Sequence, residues 1–188
     1  MMLSLSDSHC EVYLQPGEVF FGDASVRVRT VLGSCVSITL WHPHRHLGGI
    51  CHYMLPERRR PAGGRADGRY GPEAWEILLA QLRAAKTQPG EYQAKLFGGG
   101  RMFGGGERAP LIDIGQRNIE VGRRLLAAQG MQVASEHFCG DGHRCLLFDI
   151  ATGDVWVKHL PQLATAAAVE IATKRMARQS LGLPGNGF

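Results

Sequence analysis

The stretch from Val26 to Pro56 constrains this chain more than any other. Val26–Val31 alternates apolar and polar residues and leads into a tight corner at Gly33-Ser34. The alternation resumes after the corner. Val36, Ile38 and Leu40 share one face, while Cys35, Ser37, Thr39 and Trp41 share the other. A period of two means a strand with two differently used faces. His42–His46 contains Pro43 and reads as a turn, and Gly48–Leu55 is the return strand, closed by Pro56. A turn centred near His44 and Arg45 sets Cys35 and His52 on neighbouring strands, a few positions out of register. Diagonal neighbours of this kind lie about 7–8 Å apart, within reach of a thiol–imidazole contact.

The remaining pattern builds outward from that hairpin. Glu11–Leu14 and Val19–Phe21 read as short strands divided by a Pro16-Gly17 turn. A helix is expected from Pro72 to about Lys86, with Trp75, Leu78, Leu79 and Leu82 as its apolar stripe and Pro89-Gly90 ending the segment. Tyr92–Phe97 is a strand, followed by the glycine-rich Gly98–Gly106. A second helix, from about Gly115 to Gln129, turns Ile119, Gly122, Leu125 and Leu126 inward and is capped by Gly130. Met131–Cys139, Arg144–Ile150 and Asp154–Leu160 read as strands, and Gln162–Gln179 as an alanine-rich helix. This order is not a strict strand–helix alternation. It implies an α+β fold: a single-domain layered arrangement of mixed or largely antiparallel sheets with helices packed on them. One domain is expected over 1–188, with a core of about 11–160, a C-terminal helix at 161–181 and a disordered tail at 182–188.

Composition excludes several classes. An apolar share of 44% is enough for a real core in 188 residues, yet no apolar run approaches the ~20 residues of a membrane span. No membrane insertion is expected. Met1–Leu14 lacks a basic region followed by an apolar one, so no secretion signal is read and the cytoplasm is expected. The five cysteines contain no C-x-x-C pair and read as free thiols. The net charge of +4 comes without interleaved basic and aromatic residues, which argues against a nucleic-acid partner. Arg58, Arg59, Arg60, Arg65 and Arg69 crowd one segment, 57–69, which has no periodicity and is expected to be a mobile loop. It reads as a solvated surface, with docking of an acidic protein as the second reading.

Several constellations could carry chemistry. Cys35 with His52 supplies the two groups of thiolate catalysis, a nucleophile and a proton carrier. Gly33 and Ser34 permit a tight approach, leaving N–H groups over Gly33–Val36 to stabilise an oxyanion. A buried structural cysteine is the competing reading. Thr30 and Ser34 are hydroxyls that could orient the imidazole. His42, His44 and His46 read as exposed turn histidines rather than metal ligands, because Pro43 and the turn scatter them. No metal site is expected. Gly98–Gly106 lacks the Lys-Ser/Thr of a phosphate loop and reads as a tight turn or a cleft wall.

The string LGSCVSITLWHP followed by GGICHYMLP resembles the chemoreceptor glutamine deamidase family, CheD. So do RYG at Arg69–Gly71, AKLFGGG at Ala94–Gly100, IGQRNIE at Ile114–Glu120 and GHRCLLFDIATGDVWVK at Gly142–Lys158. The ordered landmarks cover roughly residues 20–160. The resemblance implies a cysteine amidohydrolase that converts glutamine side chains of methyl-accepting chemoreceptors to glutamate. It implies a layered fold like that of the bacterial toxin-type cysteine deamidases. It assigns the nucleophile to Cys35, the histidine to His52 and a third catalytic residue to Thr30, with no cofactor. Implied partners are the cytoplasmic domains of chemoreceptors and a chemotaxis regulator of phosphatase type. A non-catalytic adaptor binding these same partners is the alternative.

Overall fold

The computed structural model describes residues 10–101, 113–138 and 140–160. Among the described residues, nine strands form two sheets. The first is ordered β1–β3–β8–β9, from Cys10–Tyr13, Val26–Leu32, His143–Asp149 and Val155–Leu160. The second is ordered β2–β5–β4–β6–β7, from Val19–Asp23, Leu47–Tyr53, Val36–His42, Gln93–Gly98 and Val133–Phe138. β1 runs parallel to β3 and β7 parallel to β6; the other pairs are antiparallel. The fold is therefore α+β with mixed sheets. Helices α1 (Gly71–Ala84) and α2 (Ile114–Ala128) both pack on the second sheet, α1 against β2 and β5, α2 against β4, β6 and β7.

The alternation around the corner sorts into two cores. Val36, Ile38, Leu40, Cys51 and Tyr53 meet Trp75, Leu78, Leu82, Ile119 and Leu126 of the helices. Val28, Ile50, Phe148 and Ile150 meet on the opposite side, with Leu14. Each fully buried aliphatic side chain contributes about 1.5–3 kcal/mol. The Gly33-Ser34 corner is where the chain leaves the first sheet, at the end of β3, and enters the second, at the start of β4. β4 is thereby made a central strand flanked by β5 and β6.

Of the three expected helices, the two within the described residues form within two residues of their sequence bounds. Pro72 lies in the first turn of α1. Asp113 caps α2 by accepting from the Gln116 N–H at 3.0 Å. Gly130 follows α2 with φ +68°, the left-handed conformation that lets the chain leave. The segment at Pro89-Gly90 does more than end α1: Pro89–Glu91 is a short 3₁₀ turn, with the Glu91 carboxylate accepting from the Gln88 N–H.

Two expectations are corrected. Segment 57–69 is an organised loop, because three of its five arginines are paired locally. Arg58 bonds Glu73 through two nitrogens, at 2.8 and 3.1 Å, and lies over the Tyr70 ring. Glu73 also accepts from the Asp67 N–H, Arg60 pairs with Glu76, and Arg69 pairs with Asp67. The loop lacks periodicity because carboxylates of α1 and Asp67 order it rather than an apolar stripe. The second correction concerns His42, which is buried as the last residue of β4, its ring edge-on to Tyr92. The glycine-rich segment is described only to Arg101, and the C-terminal helix, the tail, residues 1–9 and Cys139 lie outside the described residues.

Candidate active site

The register places Ser37 opposite His52, so Cys35 is two residues from His52's direct partner and points to the same face. Thr30 reaches that face from the other sheet, since β3 and β4 are joined only by the corner. The site therefore sits between the two sheets, with Thr30, Ser37 and His52 all buried and Cys35 half-buried.

His52 is held from both directions. Its backbone N–H donates to the Glu18 carbonyl at 3.0 Å, and its carbonyl accepts from the Gly17 N–H at 2.7 Å. Its ring Nδ1 lies 2.8 Å from the Thr30 hydroxyl, which itself donates to the Leu14 carbonyl at 2.9 Å. A hydroxyl has one hydrogen. With that hydrogen on Leu14, Thr30 offers His52 only lone pairs, so Nδ1 carries the imidazole proton. Nε2 is left as a proton acceptor, and it has no hydrogen-bond partner among the described residues. This arrangement favours the tautomer with the proton on Nδ1.

Electrostatics keep both groups neutral at rest. Burial lowers the His52 pKa to about 4, and a hydrogen bond to the Leu14 carbonyl opposes this only in part. Burial likewise raises the Cys35 thiol, and its own backbone N–H draws it part of the way back. Both directions favour the neutral thiol and the neutral imidazole. Cys51, next to His52 in sequence, faces the helix-side core, where burial pushes its thiol up to about 12. Strand alternation therefore selects Cys35 over Cys51.

The corner itself is fixed by its carbonyls. The Gly33 oxygen accepts from Gly100 N–H and the Cys35 oxygen from Gly99 N–H, both at 2.8 Å. The Ser34 oxygen accepts from Asn118 Nδ2 at 3.0 Å. In a trans peptide the N–H points opposite to the C=O. Holding these three carbonyls therefore aims the N–H groups of Ser34, Cys35 and Val36 the other way. The N–H groups of Ser34 and Cys35 donate to no backbone carbonyl among the described residues. Preorganised N–H groups beside a nucleophile are the machinery of an oxyanion hole. Gly98 is required for this approach, because a Cβ there would stand 2.1 Å from the Cys35 oxygen.

The structure joins Thr30 to His52 by a hydrogen bond and sets Gly33, Ser34, Cys35 and Val36 on the corner beside Ser37, the residue opposite His52, with no hydrogen bond to His52 Nε2 among the described residues. Ser34 contributes its peptide rather than its hydroxyl to the corner. His42, His44 and His46 lie at the other end of the hairpin, and no group of metal-binding side chains occurs among the described residues. Sequence reasoning missed Asn118 and the Leu14 carbonyl. Asn118 did leave a signal: it stands on the inward face of α2 beside Ile119 and one turn before Gly122, and a polar residue on a buried stripe is informative.

Comparison with known proteins places the chain in a family. The CheD family, described as CheD chemotactic sensory transduction, matches residues 54–159. Probable chemoreceptor glutamine deamidase CheD 3 of Dechloromonas aromatica is 52% identical over 166 residues, 88% of this chain and 96% of its own. Probable chemoreceptor glutamine deamidase CheD of Pseudomonas syringae pv. tomato is 44% identical over 80% of this chain and 90% of its own. Among solved structures, Bacillus licheniformis YfiH covers 66% of this chain and 50% of its own, at 14% identity and a TM-score of 0.38, too remote to support a conclusion. An alignment spanning 88% of the chain necessarily takes in residues 30–52, so the corner, the hairpin and Thr30 all fall within the shared region. Extent and identity together show that the chain belongs to the CheD family.

Proposed function

We propose that this chain is a chemoreceptor glutamine deamidase acting through Cys35, His52 and Thr30. The observation that carries the mechanism is the Leu14–Thr30–His52 hydrogen-bond chain, which leaves an acceptor at Nε2 on the face shared with the Cys35 thiol. The substrate class comes from the relatives, which are named for it.

The chemistry is acyl transfer. As Sγ attacks the glutamine carboxamide carbon, its proton passes to His52 Nε2. The carbonyl oxygen becomes an oxyanion facing the N–H groups of the Gly33–Val36 corner. His52 returns the proton to the nitrogen, ammonia leaves and a thioester remains. Water then gives a proton to Nε2 and attacks the thioester, yielding glutamate and the free thiol. The side chains supply every proton transfer in this sequence.

The acceptor glutamines lie on the cytoplasmic domains of chemoreceptors, and the protein works in the cytoplasm as one domain over 1–188. Among the described residues no helix is long and apolar enough to cross a membrane. A phosphatase-type chemotaxis protein is a second partner. The docking edge uses Arg59 and Arg65, which are exposed and form no ion pair among the described residues, whereas Arg58, Arg60 and Arg69 are already engaged. Reversing Arg59 and Arg65 to glutamate lowers receptor modification with little change in stability. Reversing Arg58 instead breaks its Glu73 pair and loosens the loop.

The test is incubation of the protein, and separately of Cys35→Ala, with a receptor cytoplasmic fragment, followed by mass spectrometry. A one-dalton gain at glutamine that vanishes in the variant is expected. Absence of the gain, with the fragment still co-purifying, would show an adaptor instead.

A further inference from the structure

Asn118 is fully buried on α2, 84 positions from Ser34 in sequence, yet its Nδ2 reaches both ends of the site. One hydrogen goes to the Ser34 carbonyl at 3.0 Å and the other to the Met54 carbonyl at 2.9 Å. Ser34 immediately precedes the nucleophile, and Met54 lies two residues beyond His52. A single amide therefore ties the exit of β5 to the entrance of β4. Its Oδ1 has no hydrogen-bond partner among the described residues. An unpaired buried oxygen is unfavourable, so stability alone would favour an apolar side chain here.

We infer that Asn118 is a positioning residue that fixes the Ser34–Cys35 peptide, and with it the Cys35 N–H as an oxyanion donor. The inference rests on the deamidase reading above. The neighbouring peptides need no such help. Gly99 and Gly100 hold the Cys35 and Gly33 carbonyls with backbone N–H groups, which no substitution removes except proline. The peptide between them, which carries the nucleophile's own N–H, is held by a side chain alone. Two carbonyl oxygens at hydrogen-bonding distance from one group demand two donors on one atom. Asparagine supplies them, whereas an aspartate carboxylate supplies none and a leucine neither donates nor accepts. The same N–H lies beside Sγ and favours the thiolate, so its placement also bears on the thiol's reactivity.

The test compares Asn118→Ala, Asn118→Asp and Asn118→Ser with Tyr53→Phe. The Tyr53 hydroxyl donates to the Asn118 carbonyl at 2.7 Å, anchoring the same turn of α2 without touching the corner. With a receptor fragment, Asn118→Ala and Asn118→Asp should lower kcat on the order of 10²-fold, the effect of a lost oxyanion donor, with KM little changed. Asn118→Ser, retaining one donor, should fall between them and the wild type. Tyr53→Phe should lower the melting temperature but keep kcat. Iodoacetamide alkylation of Cys35 needs no substrate, and its pH profile should move to higher pH in the Asn118 variants only. Wild-type kcat in folded Asn118→Ala would overturn the inference. So would a kcat loss that Tyr53→Phe reproduces, or an unmoved alkylation profile. A wild-type protein that deamidates nothing would refute the deamidase reading instead, and the alkylation profile would still test Asn118.

Discussion

The β4–β5 hairpin carries a buried histidine at each end, and the two are chemical opposites. At the open end, His52 Nδ1 faces a hydroxyl whose hydrogen is already committed to Leu14, so Nδ1 holds the proton and Nε2 accepts. At the turn end, His42 Nδ1 accepts from the His44 and Arg45 N–H groups, both at 3.4 Å. The proton of a neutral His42 ring then sits on Nε2, 3.9 Å from a Glu91 oxygen. Both Nε2 atoms are buried without a hydrogen bond among the described residues. Burial and an unpaired ring nitrogen therefore do not make a base. The partner of the other nitrogen does, by selecting the tautomer.

The largest expected effect tests that contrast directly. His52→Gln should lower kcat on the order of 10³-fold, the middle of the range for a lost general base. His42→Gln should leave kcat unchanged and lower stability by about 1–2 kcal/mol, as for an ordinary buried polar substitution. Matched kinetics and urea denaturation of the two variants decide it. Comparable kcat losses would erase the distinction between the ends.

Next in size is a pH effect on stability. The folded-state pKa of His52 lies below its ordinary 6.5, at about 4, chiefly through burial. Between those values the unfolded chain takes up a proton that the folded one refuses. The stabilisation is therefore complete above about pH 6.5 and is lost as pH falls toward 4, amounting to about 3 kcal/mol. Urea denaturation at pH 7.5 and 4.5 should show most of that drop in the wild type and a smaller drop in His52→Gln. An equal drop in both would assign it to other groups.

The two ends also differ in how far they could be read from sequence. Alternation along 35–41 and the turn near His44 and Arg45 were enough to put Cys35 and His52 on neighbouring strands, because a hairpin is local. That Cys51 faces the helix-side core, away from this face, emerged only from the packing. Thr30 was harder to place, since it belongs to the other sheet and reaches His52 only because the corner passes between sheets. Asn118 is more distant still: its contact with Ser34 depends on how α2 docks on β4 and β6. His42 was misplaced because a turn residue's burial is decided by what packs over it, here Tyr92 and the 3₁₀ turn at Pro89–Glu91. The loop at 57–69 shows the same limit. Its arginines were visible, but which of them meet Glu73, Glu76 and Asp67 is tertiary information.

Thr30→Val sharpens the tautomer claim at lower cost to activity. Valine keeps the branched shape and burial but cannot accept from Nδ1. The ring is then free to turn its proton toward Nε2, where it blocks the thiol. A kcat loss of about 10- to 100-fold is expected, roughly 1.4–2.7 kcal/mol in the transition state. Thr30→Ser should recover most of it by restoring the hydroxyl. A Thr30→Val enzyme with wild-type kcat would show that His52 adopts the required tautomer unaided.

The smallest effect concerns Ser37, the residue directly opposite His52. Its hydroxyl is buried and has no hydrogen-bond partner among the described residues. Desolvating a hydroxyl without a partner is unfavourable, so Ser37→Ala should leave stability unchanged or raise it by up to about 1 kcal/mol. The same variant tests the division of labour at this end of the hairpin. If Thr30 alone sets the His52 tautomer, Ser37→Ala keeps kcat. A tenfold fall in kcat, with stability intact, would place Ser37 in the proton path between Cys35 and His52. The open end would then need two hydroxyls, rather than one, to make a base of its histidine.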